Sequence, residues 1–546
     1  MVILVYNEIV QPTEYDLLDL ADARRRAALE RVHNDHDYPV WHIAAPVGRL
    51  NDPNGLVYWH GRYHVFYQWG PYVPEAKAVY WGHAVSADLI HWQHVEPAIA
   101  PERWYDKDGC YSGSAVAFGD HVTCLYTGNV KDPSGARHAY QCAFDMTEGG
   151  GAKNGVAVRG EAGRSLSAQK ADDALPIWRC EKWPDNPVIP VIPGGYTAHF
   201  RDPMVFGRPG DSFSASPDAA YRMCLGAQRA NESGAIALFS SPNLRDWRFD
   251  GELQFAGPDA EELADFGFMW ECPNIFTLKD EVSGRERTVA LWCPQGLRRD
   301  GERFQNTFQC GYVIGDLDGN VLRNCTRFRE LDGGTEFYAP QCFAGPDGSM
   351  LLIGWAGNAG EDGLPSLTSA GWLHSLTLPR KLTLHGKVVR QNPAPTPECF
   401  GAQFEISADG LPKDGELLPL GGQRAWRLQF ITQYDEQAMI RIEAGRCSLD
   451  MHFEGGTITL DRSQTLYQGA GEQTSAIRIA TFAPDWRSGD AVVVDCIFDH
   501  SVLEIYLNGG EVALTSRVFL GEDALKVFCT ADGHPMPNDM TCTLPR

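Results

Sequence analysis

Three acidic residues stand in company that suits the cleavage of a bond between sugars. They are Asp52 in Asn51-Asp52-Pro53-Asn54-Gly55, Asp202 in Phe200-Arg201-Asp202-Pro203, and Glu271 in Met269-Trp270-Glu271-Cys272-Pro273. Such chemistry needs two carboxyl groups in different states. One is ionised, to attack or to stabilise a cationic sugar; the other is protonated, to serve the departing oxygen. Glu271 has the neighbours for the second task, since Trp270 and Cys272 would exclude water and desolvation raises a carboxyl pKa. Asp52 suits the first, because the backbone amides of a turn keep a carboxylate ionised. Taken alone, Asn51–Gly55 reads as that turn, opening a hairpin through Leu56–Trp59 and Tyr63–Gln68. Asp202 reads either as a fixed anion that accepts hydrogen bonds from sugar hydroxyls or as a local ion pair with Arg201.

These acids are far apart in the chain, so only the fold can bring them together. From Trp41 to about residue 390 the pattern is of short strands separated by turn residues, with almost no helix. Examples are Ser114–Phe118, Val122–Tyr126, Thr288–Trp292 and Met350–Trp355. This predicts a closed all-β architecture, a propeller or a sandwich. An internal echo favours the propeller: Ser86-Ala87-Asp88-Leu89-Ile90-His91-Trp92 and Ser241-Pro242-Asn243-Leu244-Arg245-Asp246-Trp247 are one phrase. In a propeller the inner strand of every blade faces one channel. Residues 391–400 read as a linker, and 401–546 alternate like a β-sandwich. Residues 1–40 carry an amphipathic helix, with Leu17, Leu20, Ala21, Ala28, Leu29 and Val32 on one face and Arg24-Arg25-Arg26 in solvent. The Gly-, Ala- and Ser-rich residues 146–175 read as a surface loop.

The 546 residues exceed one ordinary core, so two or more domains are expected. The net charge of −24 argues against nucleic acid or an anionic membrane as partner. No apolar run is long enough to span a bilayer, and no basic segment precedes the apolar start, so a secretory signal is not expected. The 15 cysteines form no metal-like pairs and read as free thiols in a reducing cytoplasm. Aromatic residues make up 11%, which suits both sugar clefts and β cores.

In order, the chain carries Trp41-His42-Ile43, Asn51-Asp52-Pro53-Asn54-Gly55-Leu56, Phe66-Tyr67-Gln68, Trp81-Gly82-His83-Ala84, Tyr111-Ser112-Gly113-Ser114, Arg201-Asp202-Pro203, Glu271-Cys272-Pro273, Phe337-Tyr338-Ala339-Pro340-Gln341 and Thr377-Leu378-Pro379-Arg380. With Val502–Gly510 and Thr515-Ser516-Arg517, this set resembles glycoside hydrolase family 32, the invertases, sucrose-6-phosphate hydrolases, fructan hydrolases and related fructosyltransferases. The resemblance runs from about residue 41 to the C-terminus. It implies a five-bladed β-propeller followed by a β-sandwich, and a retaining mechanism with no metal or organic cofactor. It assigns Asp52 as nucleophile, Glu271 as general acid and base, and Asp202 as transition-state stabiliser. Asn51, Gln68, Ser112 and Arg201 would line the fructose subsite, with Trp81, Tyr111, Glu336, Tyr338, Trp355 and Arg49 also around the substrate. The implied activity is a β-fructofuranosidase acting on sucrose or short fructo-oligosaccharides. Sucrose-6-phosphate hydrolysis and fructosyl transfer are the near alternatives, and a non-catalytic sugar-binding propeller the remote one.

Three departures bear on specificity. Arg49 and Ala76 stand where many relatives carry Trp, and Glu336 stands where they carry Asp. Arg49 either holds an anionic group such as a sugar phosphate or pairs with Glu75 or another acid. The stretch Gly70–Glu75 is placed to rebuild the missing wall.

Overall fold

The structure is a computed structural model describing residues 3–5, 8–10, 12–149, 175–213, 216, 219–469, 475–481, 487 and 489–545. Most of the Gly-rich stretch expected as a surface loop, residues 150–174, lies outside the described residues.

Helix α1 (Glu14–His33) starts at a capping box: Thr13 Oγ1 accepts from Asp16 N, and the Asp16 carboxylate accepts from Thr13 N at 2.9 Å. It buries Ala21, Ala28 and Val32. These three join a core cluster that includes Val65 and Tyr67 of the first sheet, and two of them are small, so the buried stripe is narrow. Leu20 and Leu29, expected on that stripe, are instead exposed at its edges. The arginine triplet is not simply solvated either. Arg25 and Arg26 clamp the buried Asp22, and Arg24 pairs with Glu75 at 3.0 Å.

Residues 48–393 form five sheets in chain order. The first begins with β1 (Gly48–Trp59) and β2 (Arg62–Gly70), and the second with β3 (Cys110–Ala117). The third begins with β4 (Tyr196–Gly207), and the fourth with β5 (Met269–Lys279) and β6 (Glu286–Gln295). The fifth begins with β7 (Tyr338–Ala344) and β8 (Met350–Ala356). The five leading strands β1, β3, β4, β5 and β7 pack each against the next, and β7 packs back against β1. Backbone pairing ties the two ends of this ring together. Trp372-Leu373 runs parallel to Gly48-Arg49, and Leu376 N donates to Ile43 O at 2.7 Å. The repeated phrase follows the third strand of its sheet both times. In each copy the Ser hydroxyl caps the turn and the Leu takes a positive φ, +69° at Leu89 and +63° at Leu244.

Residues 402–544 form two further six-stranded sheets around a core that includes Leu428, Ile440, Leu449, Val494, Ile505 and Val527. The fold is thus all-β, a propeller followed by a sandwich. Gln391–Pro393, expected in a linker, complete a strand paired with Arg380–Leu382. Only a few residues then lead to the short helix Pro397–Phe400. Pairing wins there because the Gln391 side chain is buried, with hydrogen bonds to Arg380 and Leu331 O.

The seam between propeller and sandwich is polar and buried. His42 lies between Asp499 (2.7 Å) and Glu504 (3.2 Å), and Arg380 lies between Asp332 (2.9 Å) and Glu504 (3.2 Å), all with fully buried side chains. Burial opposes a charge on His42, but the hydrogen bonds and charges of Asp499 and Glu504 prevail and lift its pKa to about 9. All 15 cysteines are free and 11 are buried, as the sequence suggested. Among the described residues no helix is long and apolar enough to cross a membrane.

Candidate active site

All five leading strands break register where the singled-out residues lie. Asn51-Asp52 stand opposite the single residue Gln68, and Ser112 is an extra residue between Tyr111 and Gly113. Asp202-Pro203, Cys272-Pro273 and Ala339-Pro340 each oppose one residue of the neighbouring strand. These are β-bulges, which turn side chains out of the alternating pattern. Asp202, Cys272 and Ala339 take φ values of +66°, +47° and +46°, uncommon for residues with a side chain. One small axial cavity is lined from all five bulges, by Pro53, Ser112, Asp202, Pro273 and Pro340 among others. The expected turn at Asn51–Gly55 is therefore not a turn. It is a twice-bulged stretch inside β1, with Pro53 and Asn54 back in register with Tyr67 and Phe66. Gly55 is required there, since a Cβ would lie 2.8 Å from the Phe66 ring.

Asp52 sits in a ring of donors. Ser112 Oγ donates to its Oδ2 at 2.5 Å, Gln68 Nε2 to Oδ2 at 3.1 Å, and Asn51 Nδ2 to Oδ1 at 2.9 Å. Solvent reaches it only partly, while protein atoms crowd it from most sides. Burial raises its pKa, the bonds from Ser112 and Asn51 pull it down, and the negative charge of Glu271 raises it again; the net shift is upward.

Glu271 is held differently from the sequence expectation. Trp270 does not shield it: strand alternation sends the indole to the other face of β5, where it stacks on Trp292 at 4.9 Å and donates to Phe266 O. Cys272 turns to Asp202 instead, giving its N–H to Oδ2 at 3.0 Å. Arg201 approaches Glu271 Oε1 through Nε (2.8 Å) and Nη2 (2.5 Å). Tyr338 OH and Gln295 Nε2 donate to Oε2 at 2.7 and 2.5 Å. Burial raises the Glu271 pKa, but the Arg201 charge and the bonds from Tyr338 and Arg201 prevail, so the net shift is downward. Asp202, 6% exposed, is pushed up to about 7 by burial, opposed by Arg201 and reinforced by the charges of Glu271 and Asp52. The shifts run in opposite directions, down at Glu271 and up at Asp202 and Asp52, and the charge of Glu271 contributes to both upward shifts. Carboxyls that interact in this way do not titrate independently. Such a cluster can supply one ionised and one protonated carboxyl at the same pH.

Three of the residues expected around a substrate do other work. Trp81 is wholly buried, gives its indole N–H to Tyr111 O at 3.0 Å and packs beneath the site. Glu336 is 1% exposed and turned toward the sandwich: it accepts from Arg462 Nη1 at 2.6 Å and Arg517 N at 2.8 Å. Arg49 pairs with Asp362 (2.9 Å) and not with Glu75, donates to Asn51 (2.8 Å), and lies 5.1 Å over the Trp355 ring. Buried Trp355 is thus covered by Arg49. Tyr72 of the Gly70–Glu75 stretch packs on Tyr80 and under Arg24. Tyr111 stays half-buried, with Arg137 above its ring at 5.9 Å. Gln295 and His199, whose Nδ1 accepts from Arg201 Nη1 at 3.0 Å, were not anticipated. Neither lies in a distinctive motif; Gln295 ends a strand and His199 precedes one residue before Arg201-Asp202.

Residues 42–393 match the Glycosyl hydrolases family 32 N-terminal domain, and residues 425–537 match the Glycosyl hydrolases family 32 C terminal domain. This chain belongs to glycosyl hydrolase family 32. It is a glycoside hydrolase. It is 35% identical over 524 residues to the sucrose-6-phosphate hydrolase of Bacillus subtilis, covering 94% of this chain and 97% of that one. It is 35% identical over 500 residues to the sucrose-6-phosphate hydrolase of Klebsiella pneumoniae, covering 91% and 92%. Among solved structures, a family 32 β-fructofuranosidase from Bombyx mori superposes with a TM-score of 0.73 at 27% identity, covering 98% of this chain and 99% of that one.

Proposed function

We propose that this family 32 member is a retaining β-fructofuranosidase whose preferred substrate is sucrose 6-phosphate. Asp52 attacks the anomeric carbon of fructose and forms a covalent fructosyl-enzyme, while Glu271 gives a proton to the departing oxygen. Glu271 then takes a proton from water, which attacks the same carbon and frees Asp52. Asp202 accepts hydrogen bonds from fructose hydroxyls, with Asn51, Gln68, Ser112 and Arg201 around the ring. The five sheets are the five blades of the propeller, and the sandwich braces it. The observation that carries this reading is the convergence of Asp52 and Asp202, on bulges, and Glu271, beside one, where the charge of Glu271 acts on Asp52 and Asp202 and that of Asp52 on Asp202. Since the Arg201 charge and the bonds from Tyr338 and Arg201 outweigh burial and lower the Glu271 pKa, the proton for the leaving group comes from the shared cluster once substrate is bound.

The phosphorylated substrate is supported by the names of the bacterial relatives at 35% identity. Unphosphorylated sucrose is the second reading, supported by a second Bombyx mori structure, a mutant β-fructofuranosidase in complex with sucrose at 27% identity and a TM-score of 0.72. The test is kcat/KM on sucrose, sucrose 6-phosphate, kestose and inulin with products identified. Release of the glucosyl leaving group followed by free fructose, fastest from sucrose 6-phosphate, is expected. A trisaccharide as main product would make the chain a transferase, and no release from any substrate would leave a binding propeller.

A further inference from the structure

Glu271 can protonate the departing oxygen only if the departing sugar lies beside it. The groups on that side of the mouth therefore face the leaving group. Arg201 is occupied by Glu271 through Nε and Nη2, and its Nη1 donates to His199 Nδ1 at 3.0 Å. A guanidinium can only donate, so His199 is neutral and carries its proton on Nε2. Among the described residues the His199 ring is bonded only through Nδ1, so the Nε2–H adds a donor to the mouth. Arg137 completes the group. Its guanidinium lies 5.9 Å over the ring of Tyr111, the residue before Ser112, and is close enough to His199 to help hold that ring's pKa down, after the larger effect of burial. Among the described residues the Arg137 side chain makes no hydrogen bond and no ion pair.

Arg49, the other arginine of the mouth, differs: Asp362 neutralises it and Asn51 fixes its geometry. Of the two, only Arg137 offers an unbalanced positive charge, in a chain whose net charge is −24. A planar guanidinium with free N–H groups matches a phosphate monoester, which takes two parallel hydrogen bonds and carries nearly two negative charges at pH 7. We propose that Arg137, with the Nε2–H of His199, binds the phosphate of a phosphorylated leaving sugar and so sets the preference for a phosphorylated substrate. This rests on the fructofuranosidase reading above and moves phosphate recognition from Arg49, on the first sheet, to Arg137, on the second.

The test compares kcat/KM on sucrose 6-phosphate with that on sucrose in the wild type, Arg137→Gln, Arg137→Lys and Arg49→Gln. The phosphate does not change during bond cleavage, so the loss belongs in KM for the phosphorylated substrate and not in kcat. In Arg137→Gln the ratio falls about 10- to 100-fold, the worth of charge-assisted hydrogen bonds. Arg137→Lys restores part of it, because the charge remains and the fork does not. A wild type with no preference for the phosphorylated substrate sinks the substrate reading and the proposal together. A wild type with that preference, kept by Arg137→Gln, overturns the proposal alone. So does a ratio that falls in Arg49→Gln and not in Arg137→Gln.

Discussion

Glu336 gives the sharpest contrast between a sugar ligand and a brace for the sandwich, and Glu336→Gln separates them. The substitution keeps the volume and removes the charge. Gln can still accept from Arg517 N, but it cannot balance Arg462, whose side chain is fully buried. Arg462 Nη1 also donates to Arg517 O at 3.0 Å and the guanidinium lies 5.5 Å over the Tyr467 ring, but neither carries a negative charge to balance it. Two estimates of the cost agree. Removing one partner of a buried ion pair costs about 3–5 kcal/mol. A Coulomb energy for unit charges some 4 Å apart at an effective dielectric of 20 is about 4 kcal/mol. The expected outcome is a marked fall in the urea midpoint and in the half-life at elevated temperature. KM for the fructosyl substrate stays within about twofold, since the lost bonds are to the sandwich. If KM instead rises tenfold or more while the unfolding midpoint holds, Glu336 touches sugar and the reasoning is refuted.

Replacing Asp52 or Glu271 by Ala should lower kcat by about four orders of magnitude or more, as loss of a nucleophile or an acid does; Glu271→Ala should recover on a fructoside whose leaving group needs no proton, and failure to recover removes the acid assignment. In Arg201→Gln, burial becomes the main influence on Glu271, so its pKa rises and the alkaline limb of the kcat/KM profile moves to higher pH; an unmoved limb contradicts the account of what holds Glu271 ionised. Asp202 has a folded pKa of about 7 against an ordinary 3.8, so its ionisation costs stability that grows from about pH 4 through 7 and is constant above. Asp202→Asn should therefore melt higher than wild type at pH 8, by about 1–3 kcal/mol once the shared titration is discounted, with no gain at pH 4. An equal gain at both pH values, alongside the expected loss of activity, would show that the carboxylate charge is not the cause.

The family, the all-β pattern and the three carboxyls were legible because each rests on local runs of residues. The repeated Ser-x-x-Leu-x-x-Trp phrase marked equivalent blade positions because the Ser hydroxyl and the left-handed Leu act within a few residues. Apart from the Asn51–Gly55 turn and the start of the linker, both of which pair as strands, what the sequence misread was a matter of facing or of distant partners. Trp270 and Cys272 flank Glu271 in the chain, yet one points to the opposite face and the other is turned by a bulge onto Asp202. Glu336 precedes Phe337-Tyr338 but points out of the ring, to arginines more than a hundred residues later. Arg49 found its acid at Asp362, which no spacing could connect to it. Gln295 and His199 belong to the site only through Arg201, Tyr338 and Glu271.

The prolines carry a signal that a turn reading hides. Asp52-Pro53, Asp202-Pro203, Cys272-Pro273 and Ala339-Pro340 lie inside strands, where proline is tolerated chiefly at edges and bulges. Four such pairs on four leading strands therefore predict bulges at the ring's inner edge, where proline's missing N–H breaks no ladder bond. Ala339 shows that the bulge belongs to the ring and not to catalysis alone. It has no functional group, yet its φ of +46° matches that of Cys272 and approaches that of Asp202. What the Ala339-Pro340 bulge achieves is one residue away, at Tyr338, whose hydroxyl reaches Glu271 at 2.7 Å. Backbone held in such a region costs about 1–3 kcal/mol per residue and persists only where flanking structure imposes it. Here the flanks are paired strands, so the carboxyls are aimed by sheet and not by loops, and that placement is what brings the charge of Glu271 to bear on Asp52 and Asp202.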